Sequence, residues 1–219
     1  GVKLKGDAYQ GLLFEATKRQ ITYQEQKTYF DVLRLTVDDK YSWDFAMLGV
    51  GLRYINGVGK PDMLHYVESF GMEGHYDFAS NRGYIWSRTF PLLKRTLLLG
   101  VGRDNFAYAF PNDDYVGKVN CGFNEQIVTK PHNMYLQIWV QDGLPALLAF
   151  LALYLLLFCR TIRKCFKKGK WNHSQKISLA LLCGVSGYFV AGLANDSSIC
   201  VAPVFWILFG VAFAVSRRE

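Results

Sequence analysis

Residues 143–159, GLPALLAFLALYLLLFC, form an uncharged apolar stretch that decides how this chain folds. A membrane hydrocarbon core about 30 Å thick needs about 20 helical residues, and the adjoining residues 135–140 extend the stretch to that length. Pro145 suits the first turn of a helix, where its missing N–H leaves no helical bond unmade. We therefore predict a membrane-spanning helix over about residues 143–159.

Two further apolar segments follow, over residues 177–194 and about 199–215, and they predict a second and a third span. The second segment contains small residues of the kind that let membrane helices pack closely, namely Gly184, Ser186, Gly187 and Gly192. The predicted fold is mostly α: a polytopic membrane protein fragment with a long extracytoplasmic loop region, residues 1–142, followed by three transmembrane helices. The chain starts at Gly1 without a signal peptide, so we expect membrane-targeting sequence upstream.

The distribution of charge predicts the orientation of these spans. The net charge of +7 has a local origin, because residues 160–176 carry seven basic residues and no acidic one. Cytoplasmic loops of membrane proteins are enriched in Lys and Arg, which places this loop in the cytoplasm and residues 1–142 outside. The link between the second and third spans, which carries only Asp196, then also faces outward. Three buried helices of a soluble protein would have no reason to alternate their charge in this way, and the same distribution favours a membrane over a nucleic-acid partner.

The outward half contains no stretch long enough to span. Residues 33–37, LRLTV, alternate apolar and polar side chains, which is a strand signal. Residues 45–55 are too short to cross a membrane and either form a strand or lie at the interface. Residues 81–99 have apolar side chains near helical spacing, interrupted by Pro91, so one kinked helix or two short ones would fit. Residues 1–29 are polar and give no clear signal.

Two sets of polar residues are candidates for chemistry. His132 directly precedes the first predicted span, and imidazole groups exchange protons near neutral pH. The alternative is a local role, in which Asn133 caps the following helix. A second set could bind a phosphate through guanidinium groups or could be a solvated basic face: Arg82, Arg88, Lys94, Arg95 and Arg103. The histidines are scattered without a metal-binding spacing, so no metal site and no cofactor is predicted.

The order of these motifs resembles the O-antigen ligase and O-antigen polymerase superfamily. Residues 81–86, NRGYIW, and 100–106, GVGRDNF, look like the outer loop of that family, and His132 with Gly143 resembles its histidine motif. The resemblance runs from about Phe78 to the end, and residues 1–77 are not placed by it. Two positions depart from the family pattern: Ala146 replaces a glycine, which affects helix packing, and Arg103 replaces a less basic residue.

The resemblance implies an inverting, metal-independent glycosyltransferase of the bacterial cytoplasmic (inner) membrane, with its active site facing the periplasm or the cell exterior. It would transfer a glycan from an undecaprenyl-diphosphate carrier to a hydroxyl of a saccharide, lipid or protein acceptor. Arg82 matches the family's loop arginine and would bind the diphosphate, with Arg88 a further candidate. His132 matches the family histidine and would act as general base. The remaining substrate-binding candidates are Trp86, Arg103 and Asn133.

Several alternatives stay open at this point. A transferase of this kind could polymerise repeat units, ligate a glycan to a lipid or wall acceptor, or modify protein. A transporter or flippase for lipid-linked saccharides should carry charged residues inside its spans, and the three predicted spans have none. A non-catalytic assembly subunit would tolerate the loss of His132.

Overall fold

A computed structural model describes residues 2–3, 12–23, 26–38, 41–49, 51–122, 126–166 and 171–217. The chain divides into two compact units. The sheet unit comprises Gly1–Tyr66 and Asp113–Gln126, and the helical unit comprises Val67–Asn112 and Ile127–Glu219. The boundary predicted at residues 142/143 is one of membrane topology, between an outer region and the spans, and it does not coincide with the division into these units. It stays a prediction.

The sheet unit is a six-stranded antiparallel meander in which each strand pairs with the next along the chain. Its strands are β1 (Val2–Lys3), β2 (Leu12–Tyr23), β3 (Gln26–Val37), β4 (Tyr41–Leu48), β5 (Gly51–Ile55) and β6 (Pro61–Asp62). The prediction of a mostly α chain is therefore correct only in part, because the chain is about half helical and this unit is a sheet. The extracytoplasmic placement of residues 1–142 stays a prediction. The alternation over residues 33–37 does lie in a strand, β3, and residues 45–55 contribute to β4 and β5.

The strand β2 gave no signal because its side chains from Glu15 to Gln20 are all exposed. A stretch of six exposed residues lacks the apolar alternation by which strands are recognised. It forms here because its backbone pairs with β3 along all 12 residues. The small core of the sheet unit consists of Ile21, Val32, Ala46 and Ile55.

One polar residue, Asp44, is buried beside this core. Its carboxylate accepts hydrogen bonds from Arg34 Nε at 2.7 Å and Arg34 Nη2 at 3.0 Å, and a further one from Arg19. The hydrogen bonds from Arg34 hold the pKa of the Asp44 carboxyl below its usual range, against the opposing effect of burial. The ion pair thereby links three neighbouring strands.

The opposite face of the sheet carries an aromatic pocket of about 220 Å³. Trp43, Phe45 and Tyr54 line it together with Tyr115, which lies in a short helix of the sheet unit. The Tyr115 hydroxyl donates to Asp62 Oδ2 at 2.6 Å, and burial raises the pKa of Tyr115 to about 12. No sequence motif predicted this pocket.

The chain contains seven helices within its described residues. They are α1 (Phe78–Arg95), α2 (Phe106–Ala109), α3 (Tyr115–Asn120), α4 (Met134–Asp142), α5 (Leu144–Cys165), α6 (His173–Ala191) and α7 (Ala202–Arg217). All except α3 belong to the helical unit. The last four pack around a core rich in aromatic side chains: Met134, Phe150, Leu157, Leu182, Val185, Phe189, Phe205, Phe209 and Ala212.

Helix α1 continues through Pro91 instead of dividing into two helices. Proline has no N–H, so the carbonyl of Ser87, four residues earlier, loses its helical partner. The backbone N–H of Phe70 donates to that carbonyl at 2.8 Å, and the Phe70 and Phe90 rings meet edge to face. The preceding segment thus satisfies the bond that proline leaves open. Irregular backbone is confined to the start of α1, at residues 79–81, where φ is positive.

The apolar stretch that begins at Gly143 is not continuous with the segment before it. Gly143 has φ of 93° and ends α4 as α5 begins, so residues 135–140 form a separate helix and do not lengthen the first span. An ideal Cβ on Gly143 would lie 2.7 Å from the Leu98 carbonyl oxygen, so only glycine fits there. Pro145 does lie in the first turn of α5, as predicted.

Among the described residues, α5 is the helix that is both long and apolar enough to cross a membrane. Only 22% of the most apolar 18-residue stretch of α5 is buried, whereas the core helix of a soluble protein is mostly buried. Helix α7 is apolar but shorter, at 16 residues. Crossing of a membrane by α5, α6 and α7 therefore stays a prediction.

The small residues of α6 do not all serve close packing between the described helices. A Cβ on Gly184 or Gly187 would meet no atom within 4 Å. Gly192, just after α6, behaves as predicted, because a Cβ there would lie 2.5 Å from Met134 Cε. The Ser186 hydroxyl lies 2.9 Å from the Tyr154 hydroxyl of α5.

Candidate active site

Asn133 is the N-cap of α4. Its side-chain oxygen accepts hydrogen bonds from the backbone N–H groups of Tyr135 and Leu136, both at 3.0 Å. Its side-chain amide donates to the Leu193 carbonyl at 2.8 Å, which ties the start of α4 to the end of α6. The capping role of Asn133, which the sequence suggested as the alternative to a role in chemistry, is thus observed. A contact between Asn133 and substrate stays a prediction.

His132 lies one residue before this cap, in a left-handed backbone conformation with φ of 52°. Its Nδ1 lies 3.0 Å from Asp196 Oδ2, in the turn between α6 and α7. The two side chains differ sharply in exposure, 48% for His132 and 9% for Asp196. The imidazole is therefore open to a reactant on one side and held by a shielded carboxylate on the other.

The second oxygen of Asp196, Oδ1, is buried without a hydrogen-bond partner in the part of the chain that the structure describes. Burial removes hydration from this oxygen, so a hydrogen bond or ion pair to the other oxygen of the carboxylate matters more than it would at an exposed site. That ion pair is the contact between Asp196 Oδ2 and His132. From the sequence, Asp196 was noted only as the single charged residue between the second and third predicted spans. The one feature of the sequence that connected Asp196 with His132 was their predicted location on the same, outer side of the membrane.

A network between α4 and the segment from residue 192 to residue 197 fixes this pair. The Met134 N–H donates to the Gly192 carbonyl at 2.8 Å. The Ser197 N–H donates to Gln137 Oε1 at 2.9 Å, and the Ser197 hydroxyl lies 3.0 Å from the Tyr188 hydroxyl. These bonds join residues that are close in the chain to His132 and to Asp196. They therefore fix the distance between the backbone segments that carry the two side chains.

Helix α1 reaches the same place through Trp86. The Trp86 indole N–H donates to the Pro131 carbonyl at 2.8 Å, directly before His132. Arg82 lies four residues earlier, so it shares a helix face with Trp86, one turn of about 5.4 Å away. The Arg82 guanidinium donates only a long bond of 3.3 Å, to the Ala79 carbonyl, among the bonds that the structure gives it. The structure thus places Trp86 beside the His132 segment and Arg82 on the adjoining turn.

Arg88 lies elsewhere, in the interior of the helical unit. Its guanidinium carbon is 4.7 Å from the centre of the Tyr76 ring and 4.5 Å from that of Tyr84. Its Nη1 donates to the Ser87 hydroxyl at 2.9 Å. Six residues separate it from Arg82, which puts the two arginines on different faces of α1. A shared phosphate between them is not favoured by this arrangement, and binding of substrate by Arg88 stays a prediction.

The glycine turn over residues 100–102 holds the C-terminal end of α4. The N–H groups of Val101 and Gly102 donate to the carbonyls of Val140 and Gln141, both at 2.9 Å. Arg103 follows this turn with an exposed side chain, whose Nε lies 3.2 Å from Asp142 Oδ1. The turn is therefore structural, and it places Arg103 near α4.

A cavity of about 370 Å³ lies in the helical unit beside these elements. Its polar wall includes Arg103, Gln137 and Ser197, and its apolar wall includes Phe150 and Trp206. Pockets for small ligands commonly have volumes of about 300–1,000 Å³. Ser197, the chain neighbour of Asp196, lines the cavity, whereas His132 and Asp196 themselves do not. The mixed walls of the cavity suit an amphiphilic molecule.

A model of the O-antigen ligase family matches residues 41–151, which is just over half of the chain. No curated protein and no solved structure is significantly similar to the chain. The match starts at β4, upstream of the resemblance seen in the motifs, and it includes Arg82, His132 and Gly143. The chain belongs to the O-antigen ligase family.

Proposed function

We propose that this protein transfers a glycan from an undecaprenyl-diphosphate carrier to an acceptor hydroxyl on the outer face of the bacterial cytoplasmic membrane. Its family implies a glycosyl-transferring enzyme that acts on lipid-linked saccharides. The observation that carries the proposal for this chain is the 3.0 Å contact between His132 Nδ1 and Asp196. It supports a role for His132 as general base.

The tautomer that this contact favours is the one the reaction needs. When Nδ1 carries the ring proton, the Nδ1–H group donates a hydrogen bond to Asp196. The lone pair of Nε2 is then free to accept a proton. A carboxylate that orients an imidazole and stabilises the imidazolium formed from it is the arrangement used by hydrolase triads. Asp196 would therefore position His132, and it would not itself exchange a proton.

The proposed reaction is a single displacement. The acceptor oxygen forms a bond to the anomeric carbon as the bond from that carbon to the diphosphate breaks. The hydroxyl proton passes to His132 Nε2, and undecaprenyl diphosphate leaves with the electron pair of the broken bond. Attack on the face opposite the leaving group inverts the anomeric configuration. The diphosphate is already a good leaving group, so the proposed step is metal-independent.

Arg82 is proposed to bind the donor diphosphate. A guanidinium group makes two parallel hydrogen bonds to phosphate oxygens and keeps its charge at all relevant pH values. Its position one turn from Trp86, which contacts the His132 segment, supports a place near the reacting atoms. Arg103 and Trp86 adjoin the same region and are proposed to contact the saccharide.

The proposal is tested by transfer in proteoliposomes that contain a lipid-linked glycan donor and an acceptor. His132→Ala should lower the turnover rate by about 10²–10⁴-fold, the usual contribution of a general base, while the protein remains inserted. His65→Ala is the matched control, because His65 also contacts a carboxylate, Asp113 at 3.3 Å, but in the sheet unit. Turnover by His132→Ala within a few-fold of the unaltered protein would contradict the role of His132 as general base, and no transfer by the unaltered protein would favour a non-catalytic assembly role.

The role of Arg82 is tested separately through donor binding. Arg82→Ala should raise the KM for the donor and leave the amount of inserted protein unchanged. Lys94→Ala, at an exposed position of the same helix, should leave the donor KM unaltered. Equal effects of the two substitutions would mean that only general charge is involved.

A further inference from the structure

A loop of three leucines, Leu97–Leu99, projects from the helical unit just after α1. Their side chains are 49%, 78% and 82% exposed. We propose that this leucine loop inserts into the outer leaflet of the lipid bilayer beside the start of α5. The inference rests on the membrane crossing of α5 that the proposed function requires.

The leucine loop is fixed against the junction between α4 and α5. The Leu98 carbonyl oxygen lies so near Gly143 that a Cβ there would approach it to 2.7 Å. A Cβ on Gly100 would lie 2.1 Å from the Gln141 carbonyl oxygen, and the next two N–H groups bond to α4. The backbone of the loop is therefore held at the level where α5 begins, and its side chains cannot withdraw far from that level.

That level is the membrane surface if α5 crosses the bilayer. Helix α5 starts at Leu144, and its apolar side chains are exposed from the first turns onward, including Leu148 at 56%. Three adjacent exposed leucines are costly in water, and contiguous apolar patches on proteins mark a surface that binds a partner or a membrane. The leucine loop continues the apolar surface of α5 at its outer end, so the lipid that surrounds α5 is the partner nearest to it.

Insertion of the loop would set the height of α1 above the bilayer. The loop follows the C-terminal end of α1, whose face carries Arg82 and Trp86. A lipid-linked diphosphate lies at the membrane surface, because its prenyl chain is buried and its phosphates are hydrated. An anchored α1 would hold the candidate phosphate-binding side chain at a constant distance from that surface.

Photo-cross-linking in phospholipid vesicles tests the proposal directly. Benzoylphenylalanine is placed at position 98, at position 148 in α5 and at position 73, an exposed glutamate before α1. Irradiation should add the mass of a phospholipid at positions 98 and 148 and none at position 73. No lipid adduct at position 98, with one at position 148, would overturn the insertion of the loop. An adduct within the chain or with another protein at position 98 would overturn it equally, because a protein surface would then cover the leucines.

The readout separates this inference from the proposed function. Failure at position 148 would show that α5 does not cross the bilayer, which removes the basis of both. When the probe at position 98 is combined with His132→Ala, the lipid adduct should persist although transfer is lost. The double substitution of Leu98→Ser and Leu99→Ser should reduce donor turnover in vesicles, and turnover with an acceptor and donor in detergent should change less. Equal turnover by that variant in vesicles would mean that the loop does not set the height of α1.

Discussion

At the scale of single residues, the proposed reaction depends on the unequal environments of His132 and Asp196. The imidazole is half exposed, so an acceptor hydroxyl can reach it from solvent. The carboxylate is shielded, which strengthens its interaction with a charge on the ring because the local dielectric constant is low. In the proposed reaction, His132 would therefore accept the proton of the acceptor while Asp196 stays shielded from competing water.

Asp196→Asn is expected to lower the turnover rate by about 10²-fold or more, because an amide cannot stabilise the imidazolium. The KM for the donor should stay unchanged, since Asp196 does not contact the diphosphate in the proposed arrangement. The amount of inserted protein should also stay unchanged, whereas a merely structural role for Asp196 would lower it. Measurements of turnover, donor KM and inserted protein in proteoliposomes check this expectation.

The exposed pair of His65 and Asp113 supplies the control for Asp196. Asp113→Asn should leave both the rate and the donor KM unaltered. A loss of rate in Asp196→Asn that is matched by an equal loss of folded protein would count against a positioning role.

At the scale of elements, the sequence predicted those whose signal is local. Helix α5 was found because its apolar run is long and uncharged, and β3 because its side chains alternate. The strand β2 was missed since its exposed side chains carry no alternation, and its formation depends on pairing with β3. The separation of α4 from α5 depends on the conformation of one glycine, Gly143, beside a loop distant in sequence. Asp196 was missed for the same reason, because it meets His132 only when α6 turns back toward α4.

The sheet unit should lose stability in acid through Asp44. Its pKa in the folded chain lies below the unfolded value of 3.8, so its stabilising contribution is complete above that value. The contribution is lost as the pH falls through the lower, folded pKa. Asp44→Asn should reduce the opening free energy of β3 and β4 by about 1–2 kcal/mol at neutral pH, after allowance for the partly exposed arginines. Hydrogen exchange of β3 and β4 measures this.

The same measurement in acid supplies a second test of Asp44. The difference between Asp44→Asn and the unaltered protein should shrink as the pH falls through the lowered pKa of Asp44, since both proteins then lack the carboxylate charge. Asp31→Asn, at an exposed position of β3, should have an effect near zero at every pH. A constant difference for Asp44→Asn across the pH range would rule out the ion pair as its cause.

The contact between the glycine turn and α4 is the second element-scale feature that can be tested. Gly100→Ala would place a Cβ about 2.1 Å from backbone atoms of Gln141, which cannot move aside as a side chain could. We expect a loss of at least about 1–3 kcal/mol in stability, and a lower thermal midpoint in detergent. Gly184→Ala, in open space on α6, should leave the midpoint unchanged or slightly raised. A larger loss for Gly184→Ala would show that another helix packs on α6 there.

At the scale of the whole molecule, the predicted topology requires that α5, α6 and α7 each cross the bilayer. At 1.5 Å per residue, the 19 residues of α6 and the 16 of α7 span about 28 Å and about 24 Å, close to but below a core of about 30 Å. Both helices expose large apolar side chains, including Val190, Val204 and Ile207. Local thinning of the bilayer or flanking residues that reach its surface can offset a mismatch of a few Å at modest cost. Short helices are therefore compatible with three crossings.

Reporter fusions to truncated chains distinguish three crossings from one. If α5, α6 and α7 all cross, a fusion after residue 168 should place its reporter in the cytoplasm and a fusion after residue 198 should place it outside. Alkaline phosphatase should accordingly be active only in the second fusion, and a fluorescent protein only in the first. The seven basic residues of the 160–176 loop are the physical cause, since Lys and Arg retain a loop on the cytoplasmic side. Cytoplasmic reporters at both positions would mean that α6 lies on the membrane or within the cytoplasm. Asp196 would then be separated from the outward-facing His132, and the proposed active site could not form.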